Sequence, residues 1–329
     1  MIGAEVSLND VTDELVGIFR DPGILLGIPL ALAGAVFMSF GAQYQHRGVV
    51  KVERVTGQTG AGLTGRQLLA LLGRPSWVAG TLMLGLAIIC QLGALSVAPL
   101  ILVQPIGAIA LVITTLLNAR VSGHKPTRRS IFAIVLCLGG IFSFVTIAAF
   151  FATEHAITAR ELSIILVILL VVLVIFGGTW LARRRKLRAL FYISAGGVVY
   201  GFVATLAKVV ISRAQAGNFD WLTVLCVVGL LIAAGVGSYF VQTSYSVGPP
   251  DLVIAGLTVI DPIVAVVIGL VVLGEASSAP PWALVGFGIA GAIAIVGVFL
   301  LTRYHPQIIS DSQELRIARG SGGERPPLA

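Results

Sequence analysis

Apolar runs of roughly twenty residues, separated by short polar stretches, recur from residue 24 to residue 302 of this 329-residue chain. A helix needs about 20 predominantly apolar residues to cross the hydrocarbon core of a bilayer. The runs place such spans near 24–46, 75–97, 99–118, 130–152, 162–182, 189–212, 221–246, 250–273 and 282–302. The pattern predicts an all-α polytopic membrane protein with nine transmembrane helices. Ahead of the first span, Leu8, Val11, Leu15, Ile18 and Phe19 fit one face of a short helix lying on the membrane surface, or belong to a frayed terminus.

The spans repeat. Ser96-Val97-Ala98-Pro99 returns as Ser246-Val247-Gly248-Pro249, Gly85 as Gly235, and Gly123-His124 as Gly274-Glu275. Ala33-Gly34-Ala35-Val36 aligns more loosely with Ala195-Gly196-Gly197-Val198, setting His46 opposite Lys208. Two sets of four spans then flank a single connector, and an odd connector turns the second set upside down. This predicts inverted repeats, the architecture in which carriers expose one site to each face in turn. The expected organisation is an extracytoplasmic segment at 1–23, a four-helix repeat at 24–152, a connector helix and basic loop at 153–187, an inverted four-helix repeat at 188–303, and a disordered cytoplasmic tail at 304–329.

Composition agrees with the pattern and adds direction. With 57% hydrophobic residues, 11% charged residues and a mean hydropathy of +0.99, the chain cannot be an ordinary soluble globule. Of its 22 Lys and Arg residues, all but Arg20, Arg160, Arg213 and Lys208 fall on one side of the nine-span arrangement. Cytoplasmic loops retain positive charge, so the reading is a plasma (inner) membrane protein with its N-terminus outside and its C-terminus in the cytoplasm. The net charge of +7 then faces anionic membrane lipid and needs no nucleic acid. Cys90, Cys137 and Cys226 sit in apolar runs without metal or redox spacing, and no cofactor is expected. His46, His124, His155 and His305 lie in or beside loops, in no metal-binding pair and near no nucleophile motif. The glycines of Gly60–Gln67 lack the Lys-Ser/Thr ending of a phosphate loop. An enzyme is not expected.

The candidate chemistry lies within the spans. Asp261 sits near the middle of the eighth, where a charge costs roughly 2.5 to 3.5 kcal/mol on insertion scales and normally faces a bundle interior or a wet cavity. Pro262 follows it, and a proline removes a backbone donor, frees a carbonyl and kinks a helix. An interrupted helix beside a carboxylate is a candidate substrate or proton site. Gln104-Pro105 pairs an amide with a second proline in the opposite repeat. Lys208 is either a counter-ion for Asp261, an anchor for an anionic group, or a cation that snorkels outward. Glu275, at the outer edge in a Gly-Glu turn, suits a cap or gate. Gly286, Ala290 and Ala294 recur every four residues, a smooth face for an internal helix or for a homodimer.

Taken together, Pro262, Gly274-Glu275 and the glycine-rich last span from Gly286 to Gly297 resemble the drug/metabolite transporter (EamA-like) superfamily. Within it, Ala98-Pro99, Leu102-Val103-Gln104-Pro105-Ile106-Gly107-Ala108 and the nine spans are similar to the NIPA-type magnesium transporters. The resemblance implies a secondary transporter that moves a small solute or metabolite by alternating access. Magnesium transport is the alternative, and a flippase for a lipid-linked precursor a further one.

Overall fold

The computed structural model describes residues 22–56, 71–122, 127–153, 155–183, 187–247 and 250–303. The expected surface helix before residue 22, the Gly60–Gln67 loop, the Gly123-His124 turn, the Gly248-Pro249 turn and the tail after residue 303 lie outside them. The elements are α1 Pro22–Thr56, α2 Pro75–Val97, α3 Leu100–Gly107, α4 Ile109–Ser122, α5 Arg128–Phe151, α6 Ala159–Arg183, α7 Ala189–Gln215, α8 Trp221–Val247, α9 Pro250–Val271 and α10 Pro281–Arg303. Among the described residues there is no strand, and nine stretches are long and apolar enough to cross a membrane. Their limits fall within a few residues of the predicted ones. The third, Leu100–Leu117, is built from α3 and most of α4.

The helix ends follow from local chemistry. Proline opens α1, α2, α9 and α10, at the position where its missing N–H has no intrahelical partner anyway. The Thr127 hydroxyl accepts the Ser130 N–H to start α5, and Glu161 reaches back to the Thr158 N–H at 2.7 Å to start α6. Asp220 caps α8, its Oδ1 accepting from the Thr223 N–H at 3.0 Å and the Thr223 hydroxyl at 2.7 Å. Its other oxygen takes the Arg213 guanidinium. The Thr223 hydroxyl, then the Thr223 N–H, and more weakly Arg213 hold the Asp220 carboxyl below its ordinary value.

Helices in lipid gain little from apolar burial against each other, so close packing decides which ones pair. The closest pairs are α1 with α2, α7 with α8 and α9, and α5 with α10. Small residues make these approaches possible. A Cβ on Gly41 would fall 3.0 Å from the Gly80 carbonyl, and one on Gly80 would fall 2.7 Å from the Gly41 carbonyl. Across α5 and α10, a Cβ on Gly140 would overlap the Ala294 backbone, and one on Gly297 would overlap Cys137. The Gly286, Ala290, Ala294 face is therefore not a homodimer seam. Gly140 gives it a groove within the same chain, Ala290 is 3% exposed, and Gly286 lies against the Ile147 side chain. The connector α6 packs on α7 and α8, and side chains such as Phe142 and Leu181 turn outward where lipid would meet them.

Candidate functional site

The site forms around α9, whose two faces do different things. On one face Ile260, Asp261 and Val264 meet α7 where it has no side chains. A Cβ on Gly197 would lie 2.7 Å from Ile260 Cβ, and one on Gly201 would lie 2.6 Å from Val264 Cβ and 2.9 Å from the Asp261 carbonyl. Held this closely, Asp261 has its Oδ1 shielded from solvent with no hydrogen-bond partner. On the other face Thr258, Pro262 and Val266 line a cavity of about 420 Å³ shared with Pro105, Phe144 and Phe287. The two rings of its apolar wall are 5.0 Å apart. The structure thus brings Pro105 and Pro262 to one cavity and leaves Asp261 on the side of α9 that faces α7.

The two prolines have different effects. The third span is interrupted three residues beyond Pro105, at Ala108, whose N–H returns to the Pro105 carbonyl at 3.2 Å while its own carbonyl accepts from Leu111. The expected interruption at Pro262 is absent, for α9 is one helix from Pro250 to Val271. What Pro262 does is leave the Thr258 carbonyl without its helical donor, at a residue of the cavity wall. Gln104 is buried in α3, one residue before the proline.

Lys208 and Glu275 each reach the corner between α2 and α3. Lys208 is 4% exposed, so it does not snorkel, and its Nζ donates to the Ala98 carbonyl at 2.9 Å. Among the described residues it makes no ion pair with Asp261. Glu275, also 4% exposed, accepts the Leu100 and Ile101 N–H groups, one on each carboxylate oxygen and both at 2.8 Å. These are the first two orphan donors of α3, so the carboxylate is its cap, supplied from the far half of the chain. The turn is shaped for that task. Gly274 takes φ +64, a left-handed conformation that favours glycine, and lets the Glu275 N–H close back on the Gly269 carbonyl. A Cβ on Gly269 would fall 2.8 Å from the carboxylate.

Around this corner the two halves are tied repeatedly. Gln215 donates to the Ser96 carbonyl, the Thr153 N–H donates to the Glu275 carbonyl, and Ser278 donates to the Phe151 carbonyl. His155 Nε2 lies 3.2 Å from both Thr153 Oγ1 and Ser277 Oγ. Sequence reasoning singled out Lys208 and Glu275 but missed these partners, which are ordinary polar residues at helix ends. It also passed over Gly197 and Gly201, although their spacing of four residues is the signal of a close helix contact. Among the described residues no three His, Cys, Asp or Glu side chains gather as a metal group, and Cys90, Cys137 and Cys226 are free.

Comparison with known proteins bears on the class. Residues 23–182 match the model of the magnesium transporter NIPA family. The match takes in α1 to α6 and spans just under half of the chain. Over a longer stretch of 284 residues the chain is 28% identical to an uncharacterized protein of Corynebacterium glutamicum, covering 85% of this chain and 95% of that one. No solved structure matches. The chain is thus consistent with a NIPA-like transporter, and the match supports a multi-pass membrane transporter. Asp261, Lys208 and Glu275 all lie beyond the NIPA-matched half.

Proposed function

We propose that this NIPA-like protein is a secondary transporter that moves a small solute across the plasma membrane by alternating access, and that Asp261 holds the translocated cation or proton. The observation that carries the reading is the shielded, unpartnered Asp261 Oδ1 in the middle of a membrane span. An ionised carboxylate only accepts, and in a span it needs a donor, a proton or a cation. The cavity beside Pro105 and Pro262, on the other face of the same helix, gives α9 space in which to shift.

Helix pairing supports the inverted-repeat reading, in which 24–152 and 188–303 are the two repeats. The first two spans of each pack together, α1 with α2 and α7 with α8, and spans of like rank meet across the halves, α3 with α9 and α5 with α10. The distribution of Lys and Arg supports an outside N-terminus and a cytoplasmic C-terminus.

Hydrated magnesium is the second reading, favoured by the family match. Magnesium gives up its waters reluctantly and is commonly held through one or two carboxylates, so a single Asp261 is compatible with it. Both readings meet in one experiment. Proteoliposomes carrying wild type or Asp261→Asn are loaded with a magnesium-sensitive dye or a pH-sensitive dye, and flux is normalised to folded protein. Magnesium entry in the wild type selects the second reading, and proton movement driven by an added solute selects the first. Asp261→Asn should insert and fold but lose at least tenfold in flux. Wild-type flux in Asp261→Asn would remove Asp261 from the site.

A further inference from the structure

The corner between α2 and α3 is gripped by two buried charges from the far half of the chain, and we infer that Lys208 and Glu275 form a releasable latch that positions α3 and seals this end of the carrier. The inference rests on the alternating-access reading above. It assigns to these two residues a positioning role separate from the site at Asp261.

A permanent fastening between helices is best made of apolar or neutral groups, because desolvating a charge costs more than its partners usually return. Here the segment Ala98–Ile101 takes a buried lysine on a backbone carbonyl and a buried glutamate on two backbone N–H groups. Charged groups suit a contact that opens, since each regains water on release and neither then strands an unpaired charge in lipid. Closed, the bonds are charge-assisted and roughly twice as strong as neutral ones. The latch gives the segment two states, the latched one seen here and a hydrated one reached on release.

α3 is eight residues, about 12 Å at 1.5 Å per residue, between the latch at Leu100–Ile101 and the break at Ala108. Gln104 and Pro105 ride on it, and Pro105 forms part of the cavity wall that it shares with Pro262 of α9. Release of Glu275 frees the near end of this short helix, whose far end is the turn at Ala108. Because Glu275 follows α9 directly, through the tight Gly274 turn, a shift of α9 pulls on the cap of α3. The latch thus links movement at Asp261 to the seal. Gln215 on Ser96, Ser278 on Phe151, and His155 beside Ser277 extend the seal around the same end.

Two measurements test the latch, both with Cys90, Cys137 and Cys226 replaced. In the first, Ser96→Cys and Gln215→Cys, which touch across the corner, are joined in proteoliposomes by a short bifunctional reagent that forms a disulfide with each thiol, and magnesium and proton flux are read before and after reductive release. Fastening should stop flux and reduction should restore it. Unchanged flux in the fastened protein would overturn the latch and leave the carrier reading standing. No flux of either ion in the unfastened protein would count against the carrier reading instead. The second measurement does not depend on transport. Leu100 has no exposure in the closed corner, so Leu100→Cys should react slowly with a water-soluble thiol reagent. Adding Glu275→Gln or Lys208→Met should speed labelling of the folded protein about tenfold, in keeping with the loss of charge-assisted bonds. Equal labelling rates with and without these substitutions would sink the latch whatever the flux experiment shows.

Discussion

The third span and α9 each carry a proline near a polar side chain, Gln104-Pro105 in one and Asp261-Pro262 in the other, yet the first is broken and the second is not. The residues that follow make the difference. Pro105 is followed two positions later by Gly107, the weakest helix former after proline itself, and the chain departs from α-helix at Ala108. Pro262 is followed by Ile263-Val264-Ala265-Val266-Val267, with no glycine before Gly269, and packing against α7 holds them in line. Pro29 is a third case. Its next glycine is Gly34, and α1 runs unbroken through it. In this molecule proline frees a carbonyl, and glycine in the next turn decides whether the helix ends.

The most severe test of this contrast exploits space. Gly201→Leu puts a branched side chain where a Cβ already lies 2.6 Å from Val264 Cβ, whereas a Cβ on Gly107 would meet nothing within 4 Å. Overpacking costs about 1–3 kcal/mol and sometimes more. Gly201→Leu should therefore lower the melting temperature sharply in detergent while Gly107→Leu leaves it near wild type. Equal losses would mean that α9 is not seated on the α7 glycines.

A smaller effect is expected at the break itself. Gly107→Ala favours continuous helix by about 1 kcal/mol, so the protein should melt slightly higher and turn over more slowly, with little change in KM. Faster turnover would show that the turn at Ala108 is not used.

The smallest effect compares the two carboxylate caps. Glu275 caps α3 from across the molecule and is buried, whereas Asp220 caps its own helix and is half-exposed. The Asp220 carboxyl is held below its ordinary value of about 3.9. Its contribution is therefore present above that value and is lost as pH falls through the lowered one. The melting temperatures of wild type and Asp220→Asn should differ slightly at neutral pH and converge in acid. A gap that widens in acid would reverse the sign argued here.

The number of spans and nearly all their limits were legible because bilayer thickness imposes a length on the apolar runs, a constraint that needs no knowledge of neighbours. The charges of the corner were legible too, since Lys208 and Glu275 stand out in an apolar chain. Their partners were not. A backbone carbonyl such as that of Ala98 has no signature in sequence, and pairing Lys208 with Asp261 followed only from opposite charge. The Gly286, Ala290, Ala294 face was recognised as smooth, but what covers it depends on Gly140, more than a hundred residues away. The break at Ala108 escaped because proline was given more weight than the glycine after it.

The pairing of α5 with α10 also sets a schedule for synthesis. α1 meets α2, and α7 meets α8, soon after each pair leaves the ribosome, but α5 is completed about 150 residues before its partner. At roughly 5–20 residues per second, the groove at Gly140 waits on the order of ten to thirty seconds in the bilayer with lipid as its neighbour. The newborn protein cannot close its last interface until the final helix has been inserted, so a chain that stops short of α10 leaves α5 exposed to whatever else the membrane holds.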